Sequence, residues 1–285
     1  MKLPPFDYAC PTTVSEAVAL LASHDGEAKP LAGGQSLVPM LAFRVAAPSL
    51  IVDLRKLTEL RRIKIADDGV TLGAMTRWSD ILEDTRLRRS HPLLVAAVEH
   101  VAHYQIRNRG TVGGSLAHAD PAAELPGIVL TCEARIAVLG KAGARVIEAV
   151  DFFRGTLMTA LQADEIIIEI RFPVWPARRR FGFREFARRR GDFALAGAGL
   201  FYDTDEAGLA RNAHVGVIGV ADRPLRLAAV EHVLGGKVID DHIIAAAEAA
   251  ASAAVDPPDD IHAGGDYRKK LIGVMIERAL RGAAA

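Results

Sequence analysis

Two pairs of adjacent glycines, Gly33-Gly34 and Gly113-Gly114, constrain this chain more than any other feature of its sequence. The first pair is followed by Gln35 and Ser36, and the second lies between Thr111 and Ser115, so both are flanked by polar side chains. Glycine has no Cβ atom, and consecutive glycines therefore allow several backbone N–H groups to face one concave side that a diphosphate can approach closely. The sequence predicts two phosphate-binding turns built without lysine.

Neither pair belongs to a standard nucleotide-binding fingerprint. The chain has no G-x-x-x-x-G-K-[ST] sequence, and Gly197-Ala198-Gly199 begins a G-x-G-x-x-G sequence but lacks its third glycine. A P-loop and a Rossmann dinucleotide site are therefore disfavoured. Two plain turns remain the alternative interpretation of the glycine pairs.

Composition narrows the class of protein. The 285 residues carry 35 basic and 35 acidic side chains, so a nucleic-acid binder that works by bulk charge is excluded. Half of the residues are hydrophobic, which is enough for the cores of two or three domains. The longest uncharged run, from 30 to 43, has 14 residues and falls short of the roughly 18 needed to cross a bilayer. The N-terminus also lacks the apolar stretch of a secretory signal, so we expect a cytoplasmic protein without a membrane span.

The cysteine content limits the redox chemistry of the chain itself. Cys10 and Cys132 are its two cysteines, whereas an iron–sulfur cluster usually takes four thiolates. His100 and His103 are spaced for one face of a helix but lack a nearby third ligand. No cluster and no metal site are predicted.

The first 172 residues read as short helices and strands without a sustained βαβ rhythm. Thr13-Val14-Ser15-Glu16 is typical of a capping box that opens a helix, and a short strand at 30–32 leads into the first glycine pair. Asp120 is predicted as the N-cap of a helix with Pro121 in its first position. The other predicted elements are strands at 50–54, 134–139, 145–149 and 165–172, and a hairpin over 63–74 that turns at Asp68-Gly69. From 79 to about 103 the pattern is helical, with Pro92 suited to the first turn of a helix.

A boundary is predicted at 173–176, where two prolines flank Trp175. Strands predicted at 181–187, 193–202 and 213–220 are followed by helices at 225–234, 240–254 and 266–281. Strands followed by helices indicate an α+β domain with a three-stranded antiparallel sheet and three helices. Seven arginines between 178 and 190 form either a solvated face or a docking surface for a partner.

The order and spacing of several short motifs resemble the FAD-binding medium subunits of molybdenum hydroxylases, a family that includes the flavoproteins of carbon monoxide dehydrogenase and xanthine dehydrogenase. The resemblance spans nearly the whole chain. It rests on A-G-G-x-S at 32–36, T-V-G-G-S at 111–115 with Asp120-Pro121 and Glu124 downstream, Glu165-Ile166-Ile167, Phe186-Ala187-Arg188-Arg189 with Gly191-Asp192-Phe193-Ala194, and Gly216-Val217-Ile218-Gly219 with Pro224.

The resemblance implies a two-subdomain FAD-binding fold of the vanillyl-alcohol-oxidase/p-cresol-methylhydroxylase type. Its subdomains would span 1–57 and 58–172, and residues 177–285 would form the C-terminal α+β domain. The FAD diphosphate would lie between the two glycine turns.

The resemblance also implies which residues bind the cofactor. Glu124 is expected to meet a ribose or adenine-side hydroxyl, Arg184 to place a positive charge near the flavin, and Asp192 and Phe193 to lie at the isoalloxazine edge. Many relatives carry a tyrosine in place of Phe193 and an asparagine in place of Ser115. The full predicted set is Pro30, Leu31, Ala32, Gly33, Gly34, Gln35, Ser36, Leu37, Val101, Thr111, Gly113, Gly114, Ser115, Asp120, Glu124, Ile167, Arg184, Asp192 and Phe193.

The function implied is electron relay. Electrons would come from the iron–sulfur clusters of a small partner subunit, after substrate oxidation at the molybdenum cofactor of a large partner subunit, and would leave through FAD to an external acceptor. The shortage of cysteine agrees with this division of labour. The alternatives are a stand-alone FAD-dependent reductase or oxidase and a non-catalytic assembly subunit.

Overall fold

The computed structural model describes residues 2–283. Its N-terminal part is a small parallel sheet with strand order β1-β3-β2. Helix α1 begins as predicted, because Thr13 accepts a hydrogen bond from the Glu16 N–H at 3.2 Å, and it buries Ala17, Val18 and Leu21. The elements are β1 (Asp7–Ala9), α1 (Val14–Ala22), β2 (Ala28–Leu31), α2 (Leu37–Ala42) and β3 (Leu50–Asp53).

A five-stranded antiparallel sheet with strand order β4-β5-β10-β6-β7 forms the next part of the chain. The predicted hairpin over 63–74 and the later strands are present. The elements are β4 (Ile63–Ala66), β5 (Gly69–Gly73), α3 (Trp78–Glu83), α4 (Leu87–Ser90), α5 (Pro92–Val98), α6 (Tyr104–Arg107), α7 (Val112–His118), α8 (Glu124–Thr131), β6 (Arg135–Gly140), β7 (Gly143–Glu148), α9 (Ala149–Phe152), β8 (Phe153–Gly155), β9 (Met158–Thr159) and β10 (Ile166–Pro173).

The helical pattern predicted from 79 to about 103 divides into α3, α4 and α5, and α5 begins at Pro92, the residue predicted to suit a first turn. The Asp84 carboxylate accepts from the Arg86 N–H at 3.1 Å, and the His91 ring accepts from the Leu94 N–H at 3.3 Å. Side chains that bond to nearby backbone groups compete with a continuous helix.

The predicted N-cap at Asp120 was wrong. Asp120 Oδ1 accepts from the Ala122 N–H at 2.9 Å in a turn, and α8 begins later, at Glu124, with Ala123 as its N-cap. The short-range turn therefore delays the helix by several residues.

The C-terminal part is an antiparallel sheet, β11-β12-β13-β14, with three helices. The predicted three-stranded sheet has a fourth strand, because Leu225 and Arg226 pair with Val217 and Gly216 and do not begin a helix. The elements are β11 (Arg179–Phe186), β12 (Ala196–Thr204), β13 (Ala210–Ile218), β14 (Leu225–Arg226), α10 (Ala228–Leu234), α11 (Asp241–Ala253) and α12 (Gly265–Arg281).

This last sheet is covered on both faces. Helix α12 lies so close to one face that a Cβ atom on Gly182 would overlap the backbone carbonyl of Ala279. Helix α8 lies against the other face, where a Cβ atom on Gly216 would overlap the Thr131 hydroxyl. The sheet thus joins its own helices to the preceding part of the chain. Among residues 2–283, no helix combines the length and the apolar character that a membrane crossing requires.

Candidate functional site

The first glycine turn follows β2 and leaves a run of backbone donors without partners. Gly34 has a φ of +75°, in the left-handed region that favours glycine, and its carbonyl accepts from the Val38 N–H at 3.2 Å. Within the described chain, the backbone N–H groups of residues 32–37 have no protein acceptor. Successive amides in a turn with left-handed backbone form an anion-binding concavity.

The second glycine pair lies in the first turn of α7, and its amides are already used. The Val112 and Gly113 N–H groups donate to the carbonyls of Thr76 and Ala74 at 3.0 and 2.9 Å. The Gly114 N–H donates to the Thr111 hydroxyl at 3.1 Å, and the Ser115 N–H donates to the Thr111 carbonyl at 3.0 Å. This revises the sequence-based view of two equivalent amide cradles, because among residues 2–283 the first turn leaves its amides without acceptors, whereas the amides of the second are bonded.

The two turns touch. A Cβ atom on Gly33 would overlap the Arg109 carbonyl oxygen, and one on Gly114 would lie 3.6 Å from the Cβ atom of Ala32. The first contact depends on glycine, since a side chain at Gly33 would separate the loops, whereas the second is an ordinary van der Waals distance. Segments about 80 residues apart in the sequence thus meet beside the amides of 32–37, and this arrangement fits the diphosphate of a dinucleotide.

A cleft of about 970 Å³ includes three of the predicted residues in its walls, Asp120, Asp192 and Phe193. Phe193 is 58% exposed there, so its ring is available to a planar ligand. Further wall segments include 219–222 and 258–262, together with Arg268 of α12. The cleft has the size of a small-molecule site.

The remaining predicted residues lie outside the walls of the cleft. Val101 and Ile167 are 7% and 4% exposed and belong to the largest hydrophobic core, and Pro30 and Leu31 pair with β3. The Arg184 guanidinium donates to the Phe183 carbonyl at 2.7 Å and lies beside Gly282, at the end of α12. The structure therefore brings the two glycine turns into contact and places Asp120, Asp192 and Phe193 in one cleft, but it places Arg184 against the C-terminal helix.

Glu124 is buried at the start of α8. Burial raises the pKa of its carboxyl to about 8, and the negative charges of Glu185 and Asp120 act in the same direction. Glu185 has one buried oxygen without a partner, and its other oxygen lies 3.2 Å from His100 Nδ1. Glu124 is therefore a proton-bearing group in the protein interior at neutral pH.

Sequence reasoning missed the part of the cleft that α12 and the loop before it supply. Arg268, Asp260 and the Gly219 backbone all line the cleft and are joined by hydrogen bonds. One signal was present, because Arg268 falls on the helical stripe that otherwise buries Leu271, Ile272, Met275, Ile276 and Ala279. A charged residue on a buried stripe requires buried partners.

Two family models match the chain. Residues 4–175 match the family described as "FAD binding domain in molybdopterin dehydrogenase". Residues 181–283 match "CO dehydrogenase flavoprotein C-terminal domain".

Curated proteins and solved structures agree with these matches. The chain is 38% identical over 280 residues to the 6-hydroxypseudooxynicotine dehydrogenase complex subunit alpha of Paenarthrobacter nicotinovorans, covering 98% of this chain and 95% of that protein. It is 35% identical over 282 residues to the carbon monoxide dehydrogenase medium chain of Hydrogenophaga pseudoflava, covering 99% and 98%. A solved structure of the carbon monoxide dehydrogenase from Hydrogenophaga pseudoflava, which lacks the Mo-pyranopterin moiety of the molybdenum cofactor, superimposes with a TM-score of 0.96, at 37% identity and with 99% and 98% of the two chains covered.

Proposed function

The chain belongs to the family of FAD-binding medium subunits of molybdenum hydroxylases, and we propose that it holds FAD across the two touching glycine turns and the cleft, within a larger enzyme. The observation that carries this proposal is the run of unpartnered amides at 32–37 packed against the second turn. Bound FAD would supply an isoalloxazine that takes up electrons and releases them to an external acceptor.

The residues of this chain bind, orient and shield the cofactor in this proposal. The amides of 32–37 would hold diphosphate oxygens, with the Ser115 hydroxyl beside them. Phe193 would cover one side of the ring, and Asp120 and Asp192 would line the polar edge of the cleft. Thr111 acts indirectly, since its buried hydroxyl holds the first turn of α7. No side chain of this chain needs to act as a nucleophile.

The electron route requires partner subunits. Cys132 is buried, and burial raises the pKa of its thiol to about 12, so it stays protonated. Cys10 lies elsewhere, on the N-terminal part of the chain. We place the iron–sulfur clusters on a small partner subunit and the molybdenum cofactor on a large one, an arrangement supported by the relatives named as subunits or medium chains of complexes.

We also propose that the chain divides into FAD-binding subdomains at 1–57 and 58–172, of the vanillyl-alcohol-oxidase/p-cresol-methylhydroxylase type, and a C-terminal domain at 177–285. Support comes from the sheets, since each of the three main sheets uses strands from one of these ranges. The diphosphate would then lie where the first two subdomains meet.

A pair of glycine variants tests the proposed cradle. Gly34→Ala changes a residue at φ +75° inside the turn, whereas Gly208→Ala changes a residue at φ +76° in the β12–β13 hairpin with open space around it. Both substitutions carry a similar backbone cost of about 1 kcal/mol. We expect Gly34→Ala to weaken FAD binding at least tenfold in the enzyme purified with its partners, and Gly208→Ala to leave binding unchanged. FAD released by heat and titration of the flavin-free enzyme are the measurements.

Three results would contradict the proposal. Equal FAD affinity in both variants would show that the first turn does not hold the cofactor. A wild-type chain purified from its native host without FAD would point to an assembly subunit. Turnover with NAD(P)H in the absence of any partner would point to a stand-alone reductase.

A further inference from the structure

Arg268 is a buried arginine near the start of α12, with 6% of its surface exposed. Its Nη1 donates to the carbonyls of Leu195 and Gly219 at 2.7 and 2.8 Å, and its Nη2 donates to Asp260 Oδ2 at 2.6 Å. Each of the three acceptors lies in a different segment of the cleft wall. One side chain therefore ties together the loop before β12, the loop after β13 and the loop before α12.

The connection continues to the other side of the cleft through Gly219. The Gly219 N–H donates to the Pro121 carbonyl at 2.9 Å, while the Gly219 carbonyl accepts from Arg268. Gly219 has a φ of +75°, and a Cβ atom there would lie 2.7 Å from the Ala194 carbonyl oxygen. The Asp120-Pro121 turn and the segment that carries Phe193 are thus held against each other through this single glycine.

The charge of Arg268 is balanced locally. Burial acts against the Asp260 carboxylate, but its ion pair with Arg268 and the N–H groups of Ala263 and His262 lower the pKa of Asp260 to about 2. The Arg268 Nε–H is buried without an acceptor, so the guanidinium gives up one hydrogen bond to reach its three acceptors. Only a planar fork of donors can reach all three, and lysine has no such geometry.

We propose that Arg268 is the positioning residue of the cleft, and that it sets the distance between the Phe193 segment and the Asp120-Pro121 turn at which a flavin ring fits. This inference rests on the proposed function. Attachment of α12 does not need Arg268, because Ile272, Met275, Ile276 and Ala279 already bury the helix against the sheet. The acceptors of Arg268 are loop carbonyls at the cleft, so its loss would loosen the cleft walls first.

The test compares Arg268→Met with Arg281→Met in the assembled holoenzyme. Arg281 lies on the same helix, half exposed, and pairs with Glu277 and Asp241 away from the cleft. We expect Arg268→Met to weaken FAD binding at least tenfold and to change the visible absorption bands of the flavin that remains. Hydrogen exchange of the Leu195 and Gly219 amides should rise at least tenfold, because both residues belong to the tied segments and their N–H groups donate to the Phe186 and Pro121 carbonyls. Arg281→Met should show neither effect.

Two milder variants keep the proposal testable if Arg268→Met does not assemble. Arg268→Lys retains the positive charge but not the planar set of guanidinium donors. Asp260→Asn retains both contacts of Arg268 with backbone carbonyls but weakens the ion pair. Both variants should therefore show intermediate losses of FAD affinity. Unchanged FAD affinity and flavin spectrum in the assembled Arg268 variants would overturn the positioning role, even with faster exchange. Wild-type enzyme without FAD would instead contradict the proposed function, and the exchange measurement would still decide whether Arg268 fixes the loops.

Discussion

Glu124 is a carboxyl group whose surroundings change its chemistry. The family resemblance implied that it meets the cofactor; in the structure the residue is 7% exposed, with Glu185 and Asp120 as charged neighbours. Its pKa, raised from 4.5 to about 8, means that the folded protein binds this proton more tightly than the unfolded chain does. The stabilisation from Glu124 is therefore complete below pH 4.5 and is lost as the pH rises towards 8.

We expect Glu124→Gln to remove this pH dependence. Between about pH 5 and pH 8 the wild-type free energy of unfolding should fall relative to that of the variant, by at most about 1.4 kcal/mol per pH unit. Urea unfolding across that range measures the difference. Glu206→Gln, at an exposed position, is the control and should run parallel to wild type. Parallel curves for Glu124→Gln as well would show that Glu124 is ionised in the folded protein.

Gly33 and Gly34 are adjacent but differ in how well each position would tolerate a side chain. Any side chain at Gly33 collides with the Arg109 backbone, so a substitution there would damage packing and cofactor binding together. At Gly34 the neighbours of an added Cβ atom are side-chain carbons at 3.3 and 3.5 Å, and the cost is mainly the left-handed backbone. A substitution at Gly33 is therefore not a clean test of FAD retention.

At the scale of single elements, α7 depends on its N-cap. Thr111 is 3% exposed, and its hydroxyl accepts from the Gly114 N–H. The Val112 and Gly113 N–H groups donate to the carbonyls of Thr76 and Ala74. The second glycine pair is thus part of a helix whose first turn is fully hydrogen-bonded. Its glycines serve close packing, since a Cβ atom on Gly113 would lie 2.7 Å from the Cβ atom of Ala74.

Thr111→Val keeps the shape of the side chain but removes the hydroxyl acceptor. We expect a loss of about 1 kcal/mol in the free energy of unfolding, together with weaker FAD binding, because the Gly114 amide loses its partner. Thr111→Ser, which keeps the hydroxyl, should lose much less. Chemical unfolding of both variants is the measurement, and an unchanged free energy of unfolding in Thr111→Val would show that the cap hydrogen bond does not stabilise α7.

Most elements were predictable at this scale because their signals are local. The capping box at Thr13, the hairpin over 63–74 and the C-terminal helices follow from side-chain pattern and turn chemistry within a few residues. The errors arose where local signals compete. Asp84, His91 and Asp120 bond to nearby backbone groups and shift or divide helices, and the strand at Leu225–Arg226 exists only because β13 lies beside it.

At the scale of the whole molecule, Arg179 joins the two regions that the family models match. Its guanidinium carbon lies 4.0 Å from the ring centroid of Phe201 and 5.1 Å from that of Trp175, and it makes two hydrogen bonds to Asp203 at 2.8 and 3.0 Å. Trp175 in turn packs against His91, whose pKa is lowered to about 3 by burial. The arginine-rich segment from 178 to 190 is therefore not a uniformly solvated face, since Arg179 is buried.

We expect Arg179→Met to destabilise the protein by about 1–3 kcal/mol, because it removes two charge-assisted hydrogen bonds and the contacts with two aromatic rings. Arg180→Met changes the adjacent arginine, which is exposed and has no ion pair in the described chain, and should change stability by less than about 0.5 kcal/mol. Thermal unfolding compares the two. A similarly small change in stability for both variants would show that Arg179 does not stabilise the contact between the two regions that the family models match.

The sequence by itself determined the local elements, the flexibility of the two glycine pairs and, through the order of its motifs, the family. These are properties of neighbouring residues or of a linear pattern. Only the tertiary structure decided that the amides of 32–37 are free while those of 112–115 are used, that Gly33 touches Arg109, and that Arg268 ties three loops together. The reason is physical: whether a donor is satisfied depends on an acceptor that is close in space, and these acceptors are often tens of residues away along the chain.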